Sequence, residues 1–192
     1  MKPKAGLCWD TPIPFQRYIE ESGVLCEHIT PQILCAPFYR GRLMTFVVPT
    51  GFAHPAYSSL LPALRISSDR IERFVKKGGN ILIFGAMTSD ERAYDWVPFD
   101  LIYTHAYFSA SVQAHEKNPH AAIIDDFDGS NLDCDGHFSS EKATPLISTE
   151  DGNVVMLSYK HGEGTYLVTS IHEYPSRKFL LEFCTSEKET IF

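Results

Sequence analysis

Phe74-Val75-Lys76-Lys77-Gly78-Gly79-Asn80-Ile81-Leu82-Ile83-Phe84-Gly85-Ala86-Met87-Thr88 is the stretch on which the fold turns. It reads as the end of a helix, a glycine stop, a strand and a second glycine turn. Ile71, Phe74 and Val75 fall at i, i+3 and i+4, which makes one apolar face of a helix over 68–77. Ser67 or Ser68 can cap its start. Asp69 and Glu72 suit the positive end of the helix dipole, and Lys76 and Lys77 the negative end. Gly78-Gly79 stops it, because glycine takes the left-handed C-cap conformation without a Cβ penalty.

Toward the N-terminus the same alternation holds. Ala5 to Trp9 reads as a buried strand ending at Asp10, and Thr11-Pro12 leads into a helix over Phe15 to Glu21, closed by Gly23. Val24 to Ile29 is a second strand, Thr30 to Arg42 a loop, and Met44 to Pro49 a third strand. A turn over Thr50 to Pro55 and a short helical piece with Leu60 and Leu61 follow. Strand–helix alternation implies a parallel sheet with right-handed crossovers. The second half differs. Leu101–Tyr103, Ser111–Ala114 and Ala121–Ile124 read as short antiparallel runs. Val154–Tyr159 and Thr165–Ile171 form a hairpin through His161-Gly162-Glu163-Gly164, and a last helix covers Ser176 to Phe183. The expectation is an α/β chain with a flavodoxin-like parallel sheet, helices on both faces and an antiparallel β extension in the C-terminal half. No repeat or linker divides residues 1–192, so a single domain is expected.

Of 192 residues 44% are apolar and 21% charged, an ordinary globular balance. Net charge is -7 with no run of lysine or arginine, which argues against nucleic acid and anionic membrane as partners. No apolar run is long enough to span a bilayer, and Met1-Lys2-Pro3-Lys4 enters the first strand without a signal-peptide core, so the expected location is cytoplasmic. Five cysteines, Cys8, Cys26, Cys35, Cys134 and Cys184, form no C-x-x-C pair and are expected as reduced, mostly buried thiols. Cys134 stands between Asp133 and Asp135, which would raise its pKa and blunt its reactivity.

In an open parallel sheet, ligands bind beyond the carboxyl ends of the strands. Four turns lie there: Asp10, Gly51 to His54, Gly85 to Thr88, and His172-Glu173. The candidate ligand-binding residues are therefore Asp10, Gly51, His54, Gly85, Ala86, Asp135, His137, His172 and Glu173. No catalytic residue, metal ligand or cofactor is assigned. The acidic run Asp125, Asp126, Asp128, Asp133 and Asp135 imitates the first half of an EF-hand loop. Its twelfth position is Lys142, so a solvated, turn-forming loop is expected. Phe38, Tyr39, Trp96, Phe99, Tyr103, Tyr107 and Phe108 sit in poorly periodic stretches and leave open a pocket lining or a homo-oligomer interface.

Val47-Val48-Pro49-Thr50-Gly51, then Phe74-Val75-x-x-Gly78-Gly79, then Ile81 to Thr88, resembles the class I glutamine amidotransferase-like fold, including the biotin-protein-ligase N-terminal domain and the β-galactosidase trimerisation domain. Gly162-Glu163-Gly164 and His172-Glu173-Tyr174-Pro175 match its late glycine strand and His-Pro-Glu. Asp135-Gly136-His137-Phe138 looks like the glycine-aromatic loop of the ligase type. The resemblance places a nucleophilic cysteine at Ala86, or by a one-residue slip at Gly85 or Met87, and none of these is a nucleophile. The tandem glycines after Pro49 are reduced to Thr50-Gly51, and Glu173 is displaced to the position next to His172. Adjacent residues of a strand face opposite ways, so these two act together only if the strand has already ended.

Two functions stay open. One is a non-catalytic module that binds a small molecule or a partner protein at the old active-site mouth. The other is an enzyme of different chemistry, such as a metal-assisted hydrolase, using His172, Glu173, Asp10 and the Asp135–His137 loop. Under either, the chain is expected to release no ammonia from glutamine at any accessible pH. A coupled ammonia assay checks this, and turnover that survives replacement of all five cysteines would refute the alignment of the turn.

Overall fold

The computed structural model describes residues 4–115, 118–185 and 190–192. β1 (Lys4–Cys8) leads through α1 (Pro14–Glu21) to β2 (Leu25–Ile29), and α2 (Pro31–Cys35) to β3 (Arg42–Leu43) and β4 (Thr45–Val48). α3 (Leu60–Ile66) runs almost directly into α4 (Ser68–Lys76), followed by β5 (Asn80–Ile83). The second half holds β6 (Ile102–Ala110), β7 (Val112–Ala114), a 3-10 turn (Pro119–Ile124), β8 (Leu132–Ser139), β9 (Thr144–Thr149), β10 (Val154–His161), β11 (Gly164–Thr169), α5 (Arg177–Phe183) and β12 (Thr190–Ile191).

The main sheet has the order β2-β1-β4-β5-β11-β10-β8-β6. β1, β4 and β5 are parallel neighbours, as the sequence predicts for those three strands. β11 joins β5 in parallel on one side and β10 antiparallel on the other. The parallel half and the antiparallel extension therefore meet at β11. Alternation along the strands fills two cores. Phe46, Val48, Ile81, Ile83, Tyr166 and Val168 face Leu64, Ile71 and Phe74 of α3 and α4. Val47, Leu82 and Leu167 face Phe15 and Ile19 of α1 and Phe179, Leu180 and Phe183 of α5. Helices thus cover both faces of the α/β sheet, in a flavodoxin-like arrangement. Among the described residues, no helix is long and apolar enough to cross a membrane.

Four local expectations are corrected. Thr30–Arg42 is not all loop, because Thr30 accepts from the Ile33 N–H and Pro31 opens α2. Ala121–Ile124 is a 3-10 turn rather than a strand, capped by Asn118 and opened by Pro119. Both corrections share one signal: a capping side chain directly before a proline whose missing N–H costs a first turn nothing. Asp135–His137 is not a loop, since it lies inside β8, where Tyr103 faces Phe138 and Thr104 faces His137. Gly136 reads as a turn residue, but it is there for close strand approach: a Cβ at 136 would overlap the Thr104 carbonyl and the Tyr103 ring. Ser67 also caps differently from expectation, because its hydroxyl donates to the Leu34 carbonyl and leaves the start of α4 uncapped.

Gly164 sits where β11 passes α4 and β5. A Cβ there would overlap the backbone carbonyls of Gly79 and Val75, neither of which can yield as a side-chain tip would. Gly164→Ala should therefore cost about 3 kcal/mol and lower the melting temperature by roughly 6–12 °C for a chain of this size. Gly152→Ala, in a turn with open space around it, is the control. It should lose only about 1–2 kcal/mol from its positive φ. Thermal unfolding of the pair decides whether close approach at β11 carries this weight.

Candidate ligand-binding site

The site begins at the carboxyl end of β5. After Phe84, Gly85 lies under the Asp135 side chain so closely that a Cβ at 85 would overlap the carboxylate. The Gly85 carbonyl accepts from the Gly51 N–H at 2.8 Å, which joins the turn after β4 to the turn after β5. Two residues later Met87 has φ 52, the one non-glycine residue with positive φ among those described. Such a conformation costs an L-residue about 1–2 kcal/mol, so its neighbours must enforce it. The Met87 N–H donates to Tyr103 Oη, and Tyr103 Oη in turn donates to the Asp135 carbonyl at 2.7 Å. The left-handed residue of the turn is thus Met87, one position past Ala86 and within the slip the sequence leaves open. Ala86 itself is fully buried in the core.

β8 brings the acid. Its pairing with β6 slips between His105 and Phe108, so that Asp135 stands opposite an extra residue of β6. Beyond β11 the chain keeps bonding to β8. The Asp135 N–H donates to the Ser170 carbonyl, the His172 N–H to the Asp133 carbonyl, and Ser170 Oγ to the Gly136 carbonyl. The strand has ended by His172, so His172 and Glu173 both turn back onto β8. Glu173 Oε1 accepts from the Asp133 N–H at 2.9 Å, and His172 Nε2 stands 3.7 Å from Asp135 Oδ2. That separation is an ion-pair distance, longer than a hydrogen bond. Asp135 is wholly buried, and among the described residues neither of its carboxylate oxygens has a hydrogen-bond donor. His172 Nε2 and Glu173 Oε2 are likewise buried without a hydrogen-bond partner among the described residues. These four polar atoms, from two carboxylates and one imidazole, gather around one strand.

The accessible part of His172 opens on a cleft of about 230 Å³ lined also by Ile13, Phe15, Pro49, Thr50, Phe84 and Tyr174. Phe15 and Tyr174 stack at 4.7 Å and form an aromatic wall, while Tyr107 meets the His172 ring edge-on at 5.7 Å. The Asp135 carboxylate raises the His172 pKa against the burial that would lower it, with Glu173 and Asp133 adding to the rise. Burial, followed by the charges of Glu173 and Asp135, pushes Cys134 up to about 12, so it is not a reactive thiolate.

The structure thus brings Gly51, Gly85, Asp135, His172 and Glu173 into one chain of contacts, with Ala86 in the core behind them. Asp10 is committed elsewhere. Its oxygens accept from the hydroxyls of Ser58 and Ser59 and from the Ser59 N–H, which hold its pKa down against partial burial and fasten the start of α3. His54 stacks on Tyr57, and its Nδ1 accepts from the Ala56 N–H. His137 lies opposite Thr104 in β8, away from the cleft lining. Among the described residues no three His, Cys, Asp or Glu side chains are grouped as a metal site. Sequence reasoning missed Met87 as the strained residue and Tyr103 as its holder. It also missed Phe15, which reaches the aromatic wall from the first turn of α1.

No protein-family model matches the sequence, and no curated protein matches it. Solved structures do share the fold. A Thermoplasma acidophilum protein described as a GMP synthase subunit superposes with TM-score 0.64 at 13% identity, over 96% of this chain and 94% of that one. A glutamine amidotransferase from Thermotoga maritima gives TM-score 0.57 at 12% identity, over 90% and 76%. A β-galactosidase from Rahnella sp. R3 gives 0.58 at 13% identity over 95% of this chain, which spans only 30% of that enzyme's length. The chain has the glutamine amidotransferase-like fold.

A histidine whose pKa is raised in the folded state stabilises the fold at pH below its unfolded value, and that contribution is lost as pH rises through the folded pKa. The melting temperature of the parent chain relative to His172→Gln should therefore be most favourable near pH 6 and should shrink toward pH 9. Paired thermal scans across that range check it, and a difference that widens with pH would mean that His172 is not paired with Asp135.

Proposed function

We propose that this chain is a non-catalytic small-molecule-binding module that keeps the architecture of an amidotransferase-like site without its nucleophile. The observation that carries the reading is Met87. The sharp strand-to-helix type of turn that exposes a nucleophile in hydrolases stores backbone strain at the nucleophile itself. Here the strained residue is a methionine, whose sulfur lies against the Gly51 turn. A thioether in that place can pack and exclude water, but it cannot carry an acyl group through a thioester. The Gly51 N–H is already bonded to the Gly85 carbonyl, so it is not free to hold a developing oxyanion.

What remains is a cleft with an aromatic wall and one imidazole. Phe15, Tyr174, Phe84, Ile13 and Pro49 supply apolar contact area, while His172 and Thr50 supply polar groups. That combination suits a small ring-bearing ligand with one hydrogen-bonding substituent. Asp135 then serves to fix the protonation and orientation of His172 rather than to act on substrate. The five cysteines are all free, which fits a reducing, cytoplasmic setting.

Saturation-transfer NMR against a panel of small aromatic and heterocyclic compounds tests the reading. Compounds that bind should lose their signal in Tyr174→Ala and in His172→Ala, both at partly exposed positions whose loss leaves the cores intact. In parallel, hydrolysis of p-nitrophenyl acetate should match the rate given by free imidazole at equal concentration. Ester turnover well above that rate and abolished by His172→Ala would replace the module with an enzyme built on the His172–Asp135 pair.

A further inference from the structure

Basic residues form no run in this sequence, yet the fold gathers four of them around one cleft. Arg70, Arg73 and Lys77 recur at i, i+3 and i+7, a single stripe along α4 and its C-cap. Arg40 reaches the same space from the loop after α2, and Ile191 and Phe192 close it, enclosing about 310 Å³. We propose that this cleft binds a small phosphate-bearing anion.

Among the described residues none of the four cations is paired with a carboxylate, although Lys76, their neighbour on α4, is paired with Glu72 at 2.6 Å. In a chain of net charge -7, a cluster of this sign is a local reversal of the overall field. The helix dipole explains part of it, because cations are favoured near a C-terminus, where Arg73 and Lys77 lie. It does not explain Arg70, which sits in the first turn of α4, where the dipole opposes it.

Arg70 is also held in place. Its Nη1 donates to the Ala36 carbonyl at 2.9 Å, and its guanidinium carbon lies 5.1 Å from the centre of the Phe192 ring. Its Nη2 is buried and has no acceptor among the described residues. Arg40 is anchored in the same way, through Nη1 to the Pro37 and Tyr39 carbonyls. Two guanidinium groups fixed through one nitrogen each are prepared to offer their remaining donors to an incoming oxyanion with little entropy left to lose.

A phosphate group suits the site for two reasons. It carries close to two negative charges at neutral pH, against four cations, and its oxygens accept from the guanidinium fork. A nucleic acid is a poor match, because the cleft is short and the rest of the surface repels a polyanion.

Isothermal titration of the full chain with inorganic phosphate at constant ionic strength tests the proposal, with sulfate, succinate and chloride as separate arms. Saturable binding of phosphate is expected, weakened about tenfold or more by Arg70→Gln, the worth of one charge-assisted hydrogen bond. Arg70 also packs in the structure, so the double variant R73Q/K77Q, at two exposed positions, supplies the second arm. It should keep the parent circular dichroism spectrum and still weaken phosphate. His172→Ala should leave phosphate binding unchanged, which separates this site from the proposed cleft at β5. Equal phosphate affinity in parent and R73Q/K77Q, or heats that follow ionic strength alone, would overturn the site. Tighter binding of succinate than of phosphate would overturn the ligand class.

Discussion

Strand β11 has to satisfy two neighbours that run in opposite senses. It pairs with β5 in parallel from Thr165 to Val168, and with β10 antiparallel over the same residues. Every backbone group of a central strand needs a partner, so β11 admits no slip without breaking both ladders. Gly162 and Gly164 let the hairpin turn fit under the end of α4, and Tyr166 and Val168 then fall on one core while Leu167 falls on the other. With that register set, the chain leaving β11 must run alongside β8. The bonds from Asp135 N–H to the Ser170 carbonyl and from His172 N–H to the Asp133 carbonyl follow from it. The juxtaposition of His172 and Asp135 is thus a consequence of how two kinds of sheet are joined.

That join explains why a carboxylate can stay buried with so few partners. Asp135 is locked by its backbone, through Ser170 on one side and through Tyr103 Oη and His105 Nδ1 on the other, both at its carbonyl. Its side chain occupies the space that any Cβ at Gly85 would need. A buried charge next to a single imidazole at ion-pair distance is seldom a net source of stability, because desolvation offsets most of the attraction. Sites that accept such a cost are typically those where geometry serves binding or chemistry. The strain at Met87 belongs to the same construction, since Tyr103 Oη ties the Met87 N–H and the Asp135 carbonyl to one atom.

Much of this was legible in the sequence, and the failures have common causes. The three parallel strands, the helix from Ser68 and the late hairpin followed from periodicity and glycine stops, which are local signals. The convergence of Gly51, Gly85 and His172 followed from a rule about strand ends. Asp10 and His54 obeyed the same rule but were claimed by nearer partners, Ser58 and Ser59 for one and Tyr57 for the other. The Asp10 bonds join positions 48 and 49 residues apart, so no local pattern announces them. Gly136 misled because a glycine that permits close strand approach and one that permits a turn are identical in sequence. Met87 was invisible as the strained position, since a positive φ at a non-glycine residue is imposed by tertiary neighbours.

Charge shows the same limit most clearly. A net value of -7 with scattered lysines and arginines suggested no basic surface at all. Helical periodicity placed Arg70, Arg73 and Lys77 on one stripe, and the short pairing of β12 with β3 brought Phe192 against it. Meanwhile β8 and the segment after β11 placed Asp133, Asp135 and Glu173 together, with His172 beside them. Lys77 lies just before β5 begins and Gly85 just after it ends, so the two charge clusters flank opposite ends of one central strand. A field divided in this way leaves a basic edge on a chain whose overall charge repels anions, which is the setting the proposed phosphate cleft requires. The average charge of a chain therefore constrains its long-range encounters, while the register of its helices and strands decides what each cleft can hold.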